Sequence, residues 1–182
     1  MIIKTATLAF ALIAAAVLAY GYWHAETHAT LYVSLTDLSE RNRYRPVLHA
    51  ELSFMNASGQ VLAKAKSEAP YGMVYLSEPA QYSCREFEQS ASFSREARDG
   101  WNQCFQKQSR WLANRAPEIK SVIVKTGSCL LNLPVTISKY GDWWLWWVPL
   151  PHVGGTPYTN YSISIAINAA NCAPPAASRI LA

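Results

Sequence analysis

The first two dozen residues constrain this chain more than any others. One lysine, Lys4, precedes an almost unbroken apolar run from Ala6 to Trp23, and no comparable run follows. At about 18 residues the run is just long enough, as a helix, to cross a hydrocarbon core roughly 30 Å thick, and Tyr20, Tyr22 and Trp23 fall where an interfacial aromatic belt belongs. The sequence thus divides into a signal-anchor helix at 1–23, an extracytoplasmic domain at 24–172 and a small-residue tail at 173–182 around Pro174-Pro175. With the lone lysine on the short side, the charge bias puts the N-terminus in the cytoplasm of an inner membrane and the bulk of the chain in the periplasm. The alternative is secretion after cleavage near Ala19, because Val17-Leu18-Ala19 presents compact residues where a signal peptidase reads them.

All four cysteines, Cys84, Cys104, Cys129 and Cys172, lie beyond the run. Their placement points to an oxidising compartment, and the absence of any Cys-x-x-Cys points to structural disulfides rather than a redox pair or metal thiolates. Three pairings are possible; locality favours Cys84–Cys104 with Cys129–Cys172.

The remaining length, roughly 160 residues, suits one domain with a substantial core. The chain is 51% hydrophobic and 12% aromatic, unlike a disordered segment. Its 16 Lys and Arg against 12 Asp and Glu make it mildly basic, and the one dense cluster is Arg41, Arg43 and Arg45. That is too little for a nucleic-acid footprint; the cluster reads as a solvated loop, or as a contact for anionic lipid or an acidic partner.

Period-two alternation dominates this part and predicts about eight half-buried strands. Leu31, Val33 and Leu35 share one face of the first. Leu48, Ala50, Leu52 and Phe54 share a face of the second, with His49, Glu51 and Ser53 opposite, and Asn56-Ala57-Ser58-Gly59 turns into a third at 60–66. Further strands are predicted at 71–76, 119–126, 133–139, 143–148 and 159–168. One stretch changes period: Ala97, Trp101, Cys104, Phe105, Gln108, Trp111 and Leu112 recur at threes and fours, with Ser94 as N-cap and Pro117 closing the exit. The fold class is therefore mainly β: a single transmembrane helix followed by an antiparallel, disulfide-braced β-sandwich with one amphipathic helix on a sheet or over an open end.

Candidates for chemistry are sparse. His24 and His28 are four apart, so a helix continuing past the membrane puts both imidazoles on one face near Glu26, a set that could hold copper or zinc. His49 and His152 could act as bases only if a nucleophile converged on them, and no motif supplies one. No cofactor is implied. The anomaly is Trp143-Trp144-Leu145-Trp146-Trp147, apolar on both faces of a strand, followed by a stiff loop containing Pro149, Pro151 and His152; such a segment fits a core strand, a partner surface, or a membrane-resting or sugar-stacking platform. Asn56-Ala57-Ser58 and Asn160-Tyr161-Ser162 match the N-glycosylation pattern. Ala11, Ala15 and Ala19 give the membrane helix a small-residue face for close helix packing. The expected function is a non-enzymatic, single-pass accessory or scaffold subunit, partnered by integral-membrane subunits and the bilayer. A periplasmic glycan or peptide module and a copper- or zinc-handling protein are the alternatives.

Overall fold

The alternating segments become two facing sheets beneath one long helix. The computed structural model describes residues 2–39, 45–68, 72–85, 94–142, 158–170 and 172–173. Helix α1 spans Ile2–Thr27, four residues past Trp23. After it come β1 (Ala29–Asp37), β2 (Arg45–Pro46), β3 (Glu51–Met55), β4 (Val61–Glu68) and β5 (Met73–Glu78). A 3-10 turn at Ala80–Tyr82 leads towards α2 (Arg95–Arg115), and a second at Ala116–Glu118 leads into β6 (Ser121–Thr126), β7 (Cys129–Pro134), β8 (Ser138–Asp142) and β9 (Tyr158–Ile167). One sheet has the order β2-β1-β9-β8 and the other β5-β4-β3-β6-β7.

The two sheets bury their apolar faces against each other. Leu35, Ile163, Ile165 and Ile167 from the first meet Leu52, Phe54, Ala63, Ala65, Val122 and Val124 from the second in one core. Leu52, Phe54, Val122, Val124 and Ile167 are fully buried, so truncating any of the larger ones costs about 2–5 kcal/mol. The β3–β4 turn closes as its residues dictate: Asn56 Oδ1 accepts from the Ser58 and Gln60 N–H groups at 3.1 and 3.0 Å, and Gly59 takes φ +79°.

Helix α2 starts where its cap predicts, with Ser94 Oγ accepting from Ala97 N at 3.0 Å. Its apolar stripe faces inward: Leu112, with Ala116 just past the helix, packs against Ala29, Leu31 and Tyr161. Disulfide Cys84–Cys104 ties α2 to the 3-10 turn before it, and Cys129–Cys172 joins β7 of one sheet to the chain just after β9 of the other.

Three expectations need correction. The sandwich is not wholly antiparallel: β1 and β9 run parallel in unbroken register from Ala29↔Thr159 to Asp37↔Ile167. Alternation dictates which face of a strand is buried, not the direction of its neighbour, and these two strands are not joined by a hairpin. The second strand begins at Glu51 rather than Leu48, because His49 sits at φ +59° and turns Leu48 out to solvent. The run 133–139 is not one strand; β7 ends at Pro134, and Val135–Ile137 carries the chain across to β8 in the other sheet.

Candidate functional site

The parallel pairing has a direct consequence for where chemistry-bearing residues meet. Because β1 follows α1 after a single residue and β9 runs alongside it, the start of β9 is delivered to the C-terminal end of α1. Three elements grip the last turn of α1. From β9, Thr159 Oγ1 donates to the Ala25 carbonyl at 2.8 Å and Thr159 N to the His28 carbonyl at 3.1 Å. From α2, Arg110 Nε donates to His28 Nε2 at 3.0 Å. From β8, the Lys139 ammonium lies 3.9 Å from the Glu26 carboxylate. His24, Ala25 and His28 are buried in this socket.

Aromatic rings fill it. The His24 and His28 rings stack at 4.0 Å with planes 4° apart. Tyr158 meets His24 edge-on at 5.0 Å, Phe105 lies 5.7 Å from Tyr158, and Trp101 stacks on Phe105 at 5.0 Å. An unbroken chain of rings thus runs from α2 through β9 into α1, and Trp23 and Tyr20 continue it towards the apolar run.

The hydrogen bonds assign the His28 tautomer. A guanidinium only donates, so Nε2 accepts and the proton of the neutral ring sits on Nδ1. Nδ1 lies 2.9 Å from Thr27 Oγ1 and 3.3 Å from the His24 carbonyl, and Thr27 Oγ1 itself donates to the Trp23 carbonyl at 2.7 Å. Burial and then the neighbouring His24 depress the His28 pKa; the hydrogen bond to the His24 carbonyl pulls it up by less, and the Arg110 charge adds a still weaker depression. Tyr161, also buried here, is pushed above its ordinary pKa by burial and secondarily by the Glu26 carboxylate.

The histidine pair therefore does come together, but Glu26 does not join it: Glu26 is exposed and faces β8. Parallel rings hold their in-plane lone pairs in separate planes about 4 Å apart, and Arg110 already occupies one of them. The arrangement is a packed, hydrogen-bonded joint rather than a convergent ligand set, and among the described residues no three His, Cys, Asp or Glu side chains gather.

A second feature lies beside the joint. An open cleft of ≈ 250 Å³ between β1, β5 and α2 is lined by Leu31, Val33, Phe54, Leu76, Trp101 and Phe105, with Gln108 and Arg85 as polar wall groups. Arg85 is ion-paired with Glu68, and Gln108 Nε2 donates to the Tyr82 carbonyl at 2.6 Å. One wall is a strand edge. His28 O bonds towards β9 while Leu35 O accepts from Val47 N at 3.2 Å on the other side, so by alternation Leu31 and Val33 turn their backbone N–H and C=O groups away from β9. β2 pairs only with Thr36 and Asp37; among the described residues no strand is hydrogen-bonded to Leu31 and Val33 on that side, where β5 and α2 form the other walls of the cleft.

The other candidates fare variously. Trp143, Trp144, Trp146, Trp147, Pro149, Pro151, His152, Arg41 and Arg43 lie outside the described residues, as does the tail from Pro174. Arg45 forms β2 opposite Asp37, which is eight residues along β1 from Ala29, about 26 Å of strand from the joint. Burial would raise the Asp37 pKa, but hydrogen bonds from Ala169 and Ser39, with the Arg45 charge, outweigh it and hold the carboxyl below its usual value. His49 is exposed and bonds the Ser67 carbonyl through its backbone N–H at 3.0 Å. Asn160 is buried and accepts a hydrogen bond from Thr30, which excludes it as a glycan acceptor in the folded domain. Ala11, Ala15 and Ala19 are exposed on α1, amid Leu8, Phe10, Leu12 and Ile13, each more than 60% exposed. Sequence reasoning missed Arg110, Tyr158, Thr159 and Lys139; each is far from α1 in the chain, and they meet it through the β1–β9–β8 pairing and, for Arg110, through the packing of α2 on the start of β1.

No family model matches the chain, and no curated protein or solved structure matches it either.

Proposed function

We propose that this chain is a single-pass accessory subunit of a membrane complex, without turnover of its own, whose β domain caps the complex on the periplasmic side of the inner membrane. The observation that carries this reading is the socket around His24, Ala25 and His28. A flexible tether would let a domain roam; here the last turn of an apolar, outwardly exposed helix is held by three elements, so the domain is fixed over its span. Such rigidity suits a part that must present a surface at a set height and angle to neighbouring membrane subunits. The disulfides fit an oxidising compartment, and the small-residue face of Ala11, Ala15 and Ala19 fits close helix approach.

The test is association. Native gels and crosslinking of the chain extracted in mild detergent should show it migrating with larger integral-membrane partners, and Ala11→Leu with Ala15→Leu should weaken that association while the domain still melts normally. A monodisperse monomer, or a bound sugar or stoichiometric metal, would overturn the reading.

The cleft favours a second, narrower reading: a module that takes an extended peptide by strand addition. The edge at Leu31 and Val33, to which no described strand is hydrogen-bonded, offers backbone hydrogen bonds, and the apolar cleft between it, β5 and α2 offers room for alternate side chains. Here Phe105→Ala should change peptide capture more than membrane association.

A further inference from the structure

The socket fixes more than an angle. Because its contacts are lateral, the groups that grip α1 sit at known heights along the helix. Taking Trp23 as the aromatic belt, Glu26 is three residues further on and His28 five, about 4.5 and 7.5 Å along an axis that rises 1.5 Å per residue. The headgroup layer on one side of a bilayer is roughly 5–7 Å thick, the difference between the whole membrane and its hydrocarbon core. Lys139, beside Glu26, and Arg110, beside His28, therefore lie within or at the edge of that layer. Lys107 shares the exposed face of α2 one turn before Arg110. Tyr20, Tyr22 and Trp23 are about half exposed beneath them. The one carboxylate among these contacts, Glu26, is offset by Lys139, leaving the rim positive.

We propose that this rim, Lys107, Arg110 and Lys139 around the exit of α1, is a binding surface for the headgroup phosphates of anionic phospholipids. The inference rests on the anchored reading above and adds the identity of a lipid partner. It also differs from one reading of the sequence, which offered Arg41, Arg43 and Arg45 as a contact for anionic lipid or an acidic partner: Arg45 lies about 26 Å of strand from the joint. Long cationic side chains at a helix exit reach phosphate while their stems stay on apolar surface, and a negatively charged leaflet attracts them.

The experiment uses the full chain in nanodiscs of phosphatidylcholine, alone or with phosphatidylglycerol, with retained lipid counted by native mass spectrometry after detergent release. Wild type should retain phosphatidylglycerol over phosphatidylcholine at least tenfold. Lys107→Gln with Lys139→Gln should bring that preference close to unity, each charge near the surface being worth about fivefold. Lys64→Gln with Lys125→Gln, which alters lysines on the second sheet, should leave it unchanged. Arg110 is left intact because it also holds the buried ring of His28 by a hydrogen bond, whereas the Lys139–Glu26 pair is exposed, like the Lys64–Glu78 and Lys125–Glu51 pairs broken in the control. Equal retention of the two lipids, or an unchanged preference in the Lys107/Lys139 variant, would overturn the proposal. So would an equal effect of free inorganic phosphate on the melting temperature, which would mean a simple anion site. Carbonate extraction of the wild type separates the two readings: release from membranes would overturn the anchor and this rim together, whereas firm retention without lipid preference would overturn the rim alone.

Discussion

Arg110 donates its Nε–H to Nε2 of His28 at 3.0 Å, across 82 residues of chain, and this bond requires His28 to be neutral. Protonation would put a donor where an acceptor is needed and a positive charge beside a guanidinium and a stacked imidazole. The other groups around the ring, Tyr158 edge-on, Trp23 edge-on and the Thr27 hydroxyl, carry no compensating negative charge.

A pH dependence follows. The folded His28 pKa lies below the unfolded value of about 6.5, so between those two values the unfolded chain binds more protons. This contribution to stability is complete above about pH 6.5 and is lost as pH falls towards the folded pKa, with a slope of at most about 1.4 kcal/mol per pH unit. His28→Gln keeps an acceptor for Arg110 but does not titrate. Melts in detergent from pH 8 to 5 should show the slope in wild type and lose it in the variant; parallel curves would contradict the tautomer assigned here. Asp37, whose folded pKa is also depressed, adds a further loss only as pH falls below about 4.

Gly72 should tolerate no side chain. It sits at φ +67°, and a Cβ built on it would lie 2.5 Å from Cβ of Pro46, part of the short β2 strand. Backbone strain and overpacking act together, so Gly72→Ala should cost roughly 2–4 kcal/mol, while Gly59→Ala, at φ +79° with nothing within 4 Å, should cost only about 1 kcal/mol. Urea midpoints compare them, and equal losses would mean that the Pro46 contact relaxes freely.

The disulfides should differ in weight. Cys84–Cys104 spans 20 residues and Cys129–Cys172 spans 43, so restricting the unfolded chain gives about 3 and about 4 kcal/mol respectively. The longer one also joins the two sheets. Replacing Cys129 and Cys172 by Ala should lower the melting temperature more than replacing Cys84 and Cys104, and the reverse order would show that pinning α2 matters more than joining the sheets.

Local structure and the pairings Cys84–Cys104 and Cys129–Cys172 were legible in this sequence, and the partners of α1 were not. Ser94 capping α2, the inward stripe through Cys104 and Leu112, and the Asn56–Gly59 turn all rest on neighbours within four residues, where spacing and side-chain chemistry decide the outcome. His24 and His28 were readable as one helix face for the same reason. Their partners were not: Tyr158 and Thr159 reach them because β9 lies parallel to β1, on whose direction alternation carries no information, and Arg110 because the end of α2 packs on the start of β1. The break at His49 was equally hidden, since a histidine in an alternating run gives no sign that it will adopt a positive φ.

The last prediction concerns the rigidity on which the functional reading depends. Tyr158 is the ring that links α2, through Phe105 at 5.7 Å, to α1, through His24 at 5.0 Å. Truncating it should open a hole in the socket and cost about 3–5 kcal/mol if the surroundings do not collapse. Tyr158→Phe keeps the ring and should cost much less. Spin labels at Leu12 on α1 and at Lys125 on β6, both exposed, report the consequence directly. Wild type and Tyr158→Phe should each give one narrow distance distribution in nanodiscs, and Tyr158→Ala a broad one, because α1 then pivots against the domain. Should the wild-type distribution itself prove broad, the domain would be tethered rather than seated, and both the fixed-height argument for Lys139 and Arg110 and the capping role would fall with it.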